Sequence, residues 1–292
     1  MTIRKVEAVI APREPHWVGD GFRVHNFIPA NTLLSMERMS PFILLDYNSK
    51  YSFPPSPRPF GVGVHPHRGF ETVTIAYKGS VQHHDSSGGG GIIGEGDVQW
   101  MTAADGILHK EYHEKEWSLK GGVFQMVQLW VNLPAKEKRS KPKYQAITNN
   151  AMGRVVLENN MGEIEVIAGE YKTAKGPATT FTPIALMNGK LKKGGSATFN
   201  WPQNWNTALL VIEGTVLING TDTAPQDHFV LFKNDGESFT IRATEESIVL
   251  LMSGEPIEEP IASYGPFVMN TQKELVEAFD DFNNGKFGYL ED

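Results

Sequence analysis

Two short segments concentrate the chemistry of this chain. His65-Pro66-His67 sets two imidazoles at i and i+2, and His109-Lys110-Glu111 sets an imidazole and a carboxylate at the same spacing. Alternate side chains of an extended strand leave on one face. Each segment therefore aims two donors the same way, while Lys110 turns to solvent or a neighbouring strand. If the two strands lie on facing walls of a barrel, all four donors meet, and three nitrogens with one oxygen suit a transition metal. Taken singly, either segment reads equally well as polar barrel residues making hydrogen bonds; the metal reading rests on the two together.

The remaining histidines carry weaker patterns. His113 shares the parity of His109 and Glu111, but four residues of strand place it about 13 Å from His109, which predicts a rim residue. His83 and His84 are adjacent and face opposite ways. A symmetric turn at Lys78-Gly79 would pair His84 with Val73 and turn it into the barrel, as a substrate contact or a satisfied structural histidine. His16, His25 and His228 fit no motif. The run Gly88-Gly89-Gly90-Gly91 lacks the Lys-Ser/Thr and helix of a phosphate loop and reads as a hairpin loop. No elbow motif supports Ser/His/Asp catalysis.

The elements that must position these residues read as strands. Residues 60–133 break into short β-rich runs separated by turns, a cadence that predicts a sandwich or barrel. The stretch PAKEKRSKPK from Pro134 to Lys143 is charged and bracketed by prolines, and reads as a solvated linker. The second half repeats the first in outline. Ile75-Ala76-Tyr77-Lys78-Gly79-Ser80-Val81 has a counterpart in Val211-Ile212-Glu213-Gly214-Thr215-Val216, and Glu95-Gly96-Asp97-Val98 in Pro225-Gln226-Asp227-His228. An internal duplication would give two similar barrels. The positions matching His65 and His67 fall around Asn200-Trp201-Pro202, and no later His-x-Glu follows, so the second barrel keeps the fold without the ion. Thr271-Gln272-Lys273-Glu274 fits a capping box, with Leu275, Phe279 and Phe282 on one face before Gly285, which predicts a C-terminal helix. The predicted architecture is all-β: a barrel over 1–135 that binds the metal, a linker over 136–143, and a metal-free barrel with the helix over 144–292.

Composition narrows the functional classes. The 292 residues are 40% hydrophobic and 21% charged, with 29 Gly and 18 Pro, the make-up of a globular chain rich in turns. A net charge of −7 disfavours direct nucleic-acid binding, which needs a phosphate-neutralising surface. No apolar run approaches the length of a bilayer span, so no membrane partner and a cytoplasmic location are expected, with the nucleus added for a eukaryotic source. The absence of cysteine removes disulfides, thiolate nucleophiles, zinc fingers and iron–sulfur clusters together. Any metal is held by His, Asp or Glu.

Several long motifs resemble the pirin family. They are Pro41-Phe42-Ile43-Leu44-Leu45-Asp46, Val64-His65-Pro66-His67-Arg68-Gly69-Phe70-Glu71-Thr72, the run from Gly94 to Ala103, Gly106-Ile107-Leu108-His109 with Glu111, and Tyr264-Gly265-Pro266-Phe267-Val268-Met269-Asn270-Thr271. The resemblance extends from about residue 20 to the end. It implies a bicupin, two cupin-type β-barrels, with an iron-binding N-terminal half. The pirin ligands carried over by position fall on His65, His67, His109 and Glu111. One departure is Lys110, where pirins often have a small residue. Spacing alone also admits Glu71 as the carboxylate ligand, since general cupins place one three or four residues after His-x-His; the resemblance favours Glu111 and leaves Glu71 in support.

Three imidazoles and a carboxylate suit Fe(II), with Mn, Ni, Cu or Zn as further occupants, and leave two octahedral positions open. Some pirins cleave flavonols such as quercetin with oxygen. The resemblance thus implies a quercetin 2,3-dioxygenase-type oxidoreductase acting on a flavonol-like aromatic substrate and O2, with Glu111 or Glu71 handling the proton. Pirins also serve as regulatory proteins that bind transcription factors or metabolic enzymes, a non-enzymatic alternative with a protein partner. A zinc-filled structural site is the third reading.

Overall fold

The duplication seen in the sequence appears as one sheet plan built twice. In the computed structural model, which describes residues 2–291, the chain divides into two compact units, one of 14–149 with 257–292 and one of 1–13 with 150–256. In the unit that carries the paired histidines, a seven-stranded sheet runs in the order Lys143–Ile147, Val98–Thr102, Phe70–Lys78, Gly122–Asn132, Phe42–Phe53, Phe22–Ile28, His16–Val18. A four-stranded sheet runs Gly61–His67, Ile107–His113, Val81–Asp85, Gly90–Ile93. The two sheets face each other, since Thr74 and Gln128 of the first hydrogen-bond Glu111 of the second.

The second unit has the same arrangement. Its seven strands run Val6–Ile10, Phe229–Phe232, Asn206–Glu213, Ser247–Gly254, Ile184–Leu191, Gly162–Ala168, Gly153–Val156. Its four run Ser196–Asn200, Ser238–Ala243, Thr215–Ile218, Asp222–Pro225. Taken in chain order, Gly61–His67 corresponds to Ser196–Asn200, Val81–Asp85 to Thr215–Ile218 and Ile107–His113 to Ser238–Ala243. Where the first unit carries histidines, these strands carry Phe199, Val216, Ile218, Phe239 and Ile241, all buried in one apolar cluster with Trp201.

The boundaries differ from those expected, 1–135, 136–143 and 144–292, because both chain ends and the charged stretch find partners that composition does not reveal. Val6–Ile10 pairs with Phe229–Phe232, so the first strand closes an edge of the second unit. An unpaired edge leaves a row of unsatisfied backbone groups, and this pairing removes one. The fully buried Arg4 fixes it, donating to the Trp205 carbonyl at 2.7 Å and to Thr207 Oγ1 at 3.0 Å.

The C-terminal helix forms as its capping box predicts. Thr271 Oγ1 accepts from Glu274 N, and Glu274 Oε2 accepts from Thr271 N. It belongs to the histidine-bearing unit, however. Leu275, Ala278 and Phe279 pack with Phe267, Met269 and Leu108, and Asp281 pairs with the buried Arg68 at 2.8 Å. Val268 N donates to the Arg68 carbonyl, and this close approach requires Gly69, where a Cβ would collide with the Val268 carbonyl oxygen. The charged stretch is no solvated linker. Lys138 is buried, and its Nζ donates to Gly69 O at 2.7 Å, Asn132 Oδ1 at 2.7 Å and Val268 O at 2.9 Å. Beyond it, Lys143–Ile147 adds to the sheet beside Val98–Thr102.

Candidate metal centre

Register brings the histidines together. His109 lies directly opposite His65 across the antiparallel pair of Ile107–His113 and Gly61–His67, and the two rings are 4.2 Å apart at their centroids. His67 completes the group at 4.7 Å from His109 and 4.9 Å from His65. One ring nitrogen from each of the three lies within 4.8 Å of the others. Strand parity holds at Lys110, whose Nζ reaches outward to the Glu291 carbonyl at 2.7 Å.

Between His109 and Glu111 the register against Gly61–His67 shifts, and Glu111 comes opposite Val62. On its other side it faces His83. The structure thus joins Glu111 to the cluster through His109: His83, His109 and Glu111 form a second group of three donors within 4.8 Å, overlapping the first. Three side chains hold the Glu111 carboxylate. Thr74 Oγ1 at 3.0 Å and Gln99 Nε2 at 2.6 Å donate to Oε1, and Gln128 Nε2 at 2.9 Å donates to Oε2.

The residues fit a metal ion. His65 Nδ1 donates to the Gly63 carbonyl at 2.8 Å and His67 Nδ1 to the Pro266 carbonyl at 3.3 Å, which leaves each Nε2 with its lone pair. His109 Nε2 is buried with no hydrogen-bond partner among the described residues, a cost that a bound cation would relieve. Burial, and then the neighbouring His65, holds His67 and His109 well below the ordinary imidazole range, so both are neutral donors. Beside the cluster opens a cavity of about 320 Å³, lined by His65, His67, Glu111, Asp46, Gln128 and Trp130 together with apolar side chains such as Val24, Leu44 and Met126.

Other predicted positions fall elsewhere. Glu71 lies on the opposite face of Phe70–Lys78 from Thr74, away from the histidines; its Oε1 accepts from Thr102 Oγ1 at 2.7 Å, and burial pushes its carboxyl up to about 7. The structure therefore does not bring Glu71 to the cluster, contrary to the support role expected of it. His113 is no rim residue: it is fully buried among Phe22, Phe53, Phe60, Trp117 and Phe124, with Nε2 donating to the Gly21 carbonyl at 2.9 Å. Burial lowers it to about 4.

The assignment of His84 to the interior reverses. Phe70–Lys78 and Val81–Asp85 are not a hairpin but enter different sheets, so no turn symmetry pairs His84 with Val73. His83 faces in, fully buried, while the partly exposed His84 bonds Tyr112 Oη at 2.8 Å. The missed signal was parity with Val81, the apolar residue that marks the inner face of that strand. Gln99, Gln128 and Thr74 carried no such mark.

The geometry defines a cupin-type protein with a three-histidine cluster and a buried carboxylate in one of two repeated units. Comparison with known proteins agrees. The family model described as Pirin matches residues 21–131, and that described as Pirin C-terminal cupin domain matches 186–288. The chain belongs to the pirin family. It is 45% identical, over 98% of its length and 99% of the relative's, to a Pseudomonas aeruginosa protein provisionally named quercetin 2,3-dioxygenase. Human Pirin is 35% identical over 98% of this chain and 94% of its own. A crystal structure of quercetin 2,3-dioxygenase from Acinetobacter baumannii superposes with a TM-score of 0.93 at 47% identity, covering 99% of this chain and 100% of that one.

Proposed function

We propose that this chain is a metal-dependent dioxygenase that opens flavonol-type hydroxylated aromatics with O2, holding Fe(II) through His65, His67, His109 and Glu111. The observation that carries the reading is a three-histidine cluster at the wall of a largely apolar cavity. Held by these residues, Fe(II) would supply the redox chemistry that reaction with O2 requires. Kinship to proteins named quercetin 2,3-dioxygenase, one of them structurally superposable over nearly the whole chain, supports the substrate class.

The chain's own residues do the rest. Leu44, Met126 and Trp130 offer flat apolar surface to an aromatic ring and exclude water from around it. Thr74, Gln99 and Gln128 hold the Glu111 carboxylate in one orientation. Asp46 takes the proton role that Glu71 cannot. It lines the cavity, burial raises its carboxyl above the ordinary range, and Asn26 Nδ2 donates to its Oδ1 at 2.8 Å. Its Oδ2 then receives the substrate hydroxyl proton.

Oxygen uptake by anaerobically iron-loaded protein with a panel of flavonols tests the proposal. Stoichiometric uptake with loss of the flavonol absorption is expected. Metal-loaded protein that consumes no oxygen across the panel overturns the enzymatic reading in favour of a metal-dependent regulatory one.

A further inference from the structure

His65 and His67 have their Nδ1 atoms fixed by backbone carbonyls, but His109 does not. Its Nδ1 lies 3.4 Å from another imidazole nitrogen, Nδ1 of His83. Two ring nitrogens bond only when one carries a proton and the other a lone pair. The surroundings of His83 decide which. Gln99 Nε2 donates to His83 Nδ1 at 3.1 Å, so that nitrogen is the acceptor, and the proton of His83 sits on Nε2, 3.4 Å from Asp85 Oδ2. The Gln99 orientation agrees, because its Oε1 accepts from Tyr144 Oη at 3.4 Å. The proton of His109 is then on Nδ1, sharing the single His83 Nδ1 lone pair with Gln99 in a three-centre bond, and its partnerless Nε2 is the lone pair left for the ion.

Asp85 is itself immobilised. Its Oδ1 accepts from Ser87 N at 2.9 Å, Ser87 Oγ at 2.7 Å and Gly89 N at 2.9 Å. The Tyr144 ring stacks on His83 with centroids 5.3 Å apart and planes at 20°. The same donors could be read as a second ion site, since His83, His109 and Glu111 group within 4.8 Å. Gln99 argues against that. Its amide nitrogen already lies 2.6 Å from Glu111 Oε1, 3.1 Å from His83 Nδ1 and 3.4 Å from Thr74 Oγ1, in the polar space a cation would need.

We infer that His83, oriented by Asp85, is a positioning residue that fixes the tautomer of His109 for metal ligation, and is not a ligand. This rests on the metal-centre reading above. It gives the second group of donors one role, with Gln99 as its internal hydrogen-bond donor.

The test combines ¹⁵N NMR of the histidine rings in metal-free protein with Zn(II) competition against a chromophoric chelator. Wild type should show His109 protonated on Nδ1 and bind one Zn(II) per chain at this site. His83→Ala should keep that stoichiometry but weaken affinity by about 10- to 100-fold and mix the His109 tautomers. His83→Asn, whose Oδ1 replaces the accepting Nδ1, should recover most of the affinity, whereas His83→Gln should not. Should His83→Ala fail to fold, the wild-type tautomer and the Asn and Gln variants decide. Two ions per chain falling to one in His83→Ala, His109 protonated on Nε2, or undiminished affinity in His83→Ala each overturn the inference. Wild type that binds no ion overturns the metal-centre reading instead.

Discussion

Glu71 and Thr74 point to opposite faces of one strand: Thr74 Oγ1 donates to Glu111 Oε1 at 3.0 Å, and Glu71 Oε1 takes its bond from Thr102 Oγ1 at 2.7 Å. The odd spacing separates a carboxylate at the metal cluster from one that only resembles a ligand in sequence. Glu71→Gln should leave metal content and turnover unchanged, and His67→Ala should abolish metal binding. Elemental analysis of both purified variants checks this; metal loss in Glu71→Gln would return that residue to the site.

Glu71 should also mark the pH dependence of stability. Folding raises its carboxyl from 4.5 to about 7, so its contribution is present below 4.5 and is lost as pH rises through about 7. Glu71→Gln should therefore match wild type near pH 4.5 and exceed it at pH 8, by on the order of 2 kcal/mol. Urea unfolding at the two pH values gives the comparison, and an advantage that does not grow with pH contradicts the burial argument.

Metal release on acidification should be late. Protons compete with the ion for imidazole nitrogen, and burial and mutual repulsion hold His67 and His109 well below 6.5. Occupancy measured after equilibrium dialysis should fall to half at a pH below the free-histidine value. A midpoint at or above 6.5 would mean that these two rings are more solvated than the structure has them.

His113→Ala should cost stability and spare the metal. The substitution empties a space walled by Phe22, Phe53, Phe60, Trp117 and Phe124 and removes the bond to the Gly21 carbonyl. A loss of roughly 3 kcal/mol is expected. Denaturant unfolding together with metal analysis reports both quantities, and loss of the ion with intact stability would contradict the placement.

Lys138→Met should loosen the return of the C-terminal segment. The substitution leaves the Gly69 and Val268 carbonyls and Asn132 Oδ1 without their shared donor. Faster proteolytic cleavage within 257–292 and a lowered Tm are expected, with destabilisation of about 2–4 kcal/mol. Unchanged cleavage would show that the helix contacts suffice.

What the sequence disclosed follows from what alternation and motif can encode. Period-two patterning placed His65, His67, His109 and Glu111 on strands, and the repeat around Gly79 and Gly214 announced two units with matching sheet orders. The capping box located the start of the helix, with Thr271 as its N-cap. Facts of pairing were not legible. Which sheet Val81–Asp85 enters decides whether His83 or His84 faces inward, and a hairpin with Phe70–Lys78 would exchange the two. Burial of Lys138 depends on three acceptors, two of them backbone carbonyls of distant segments, so a charged composition hid it. The ownership of Val6–Ile10 and of the helix likewise depends on partners more than a hundred residues away.

The Pro266 carbonyl that receives His67 Nδ1 is 199 residues further along the chain. A fragment ending after the first set of strands would carry all four proposed ligands and still lack the acceptor that orients one of them. During synthesis, His67 gains this acceptor only after residue 266 has been added and its segment has packed back. Until that acceptor is in place, His67 lacks the bond that would direct its Nε2 toward an ion held with His65 and His109.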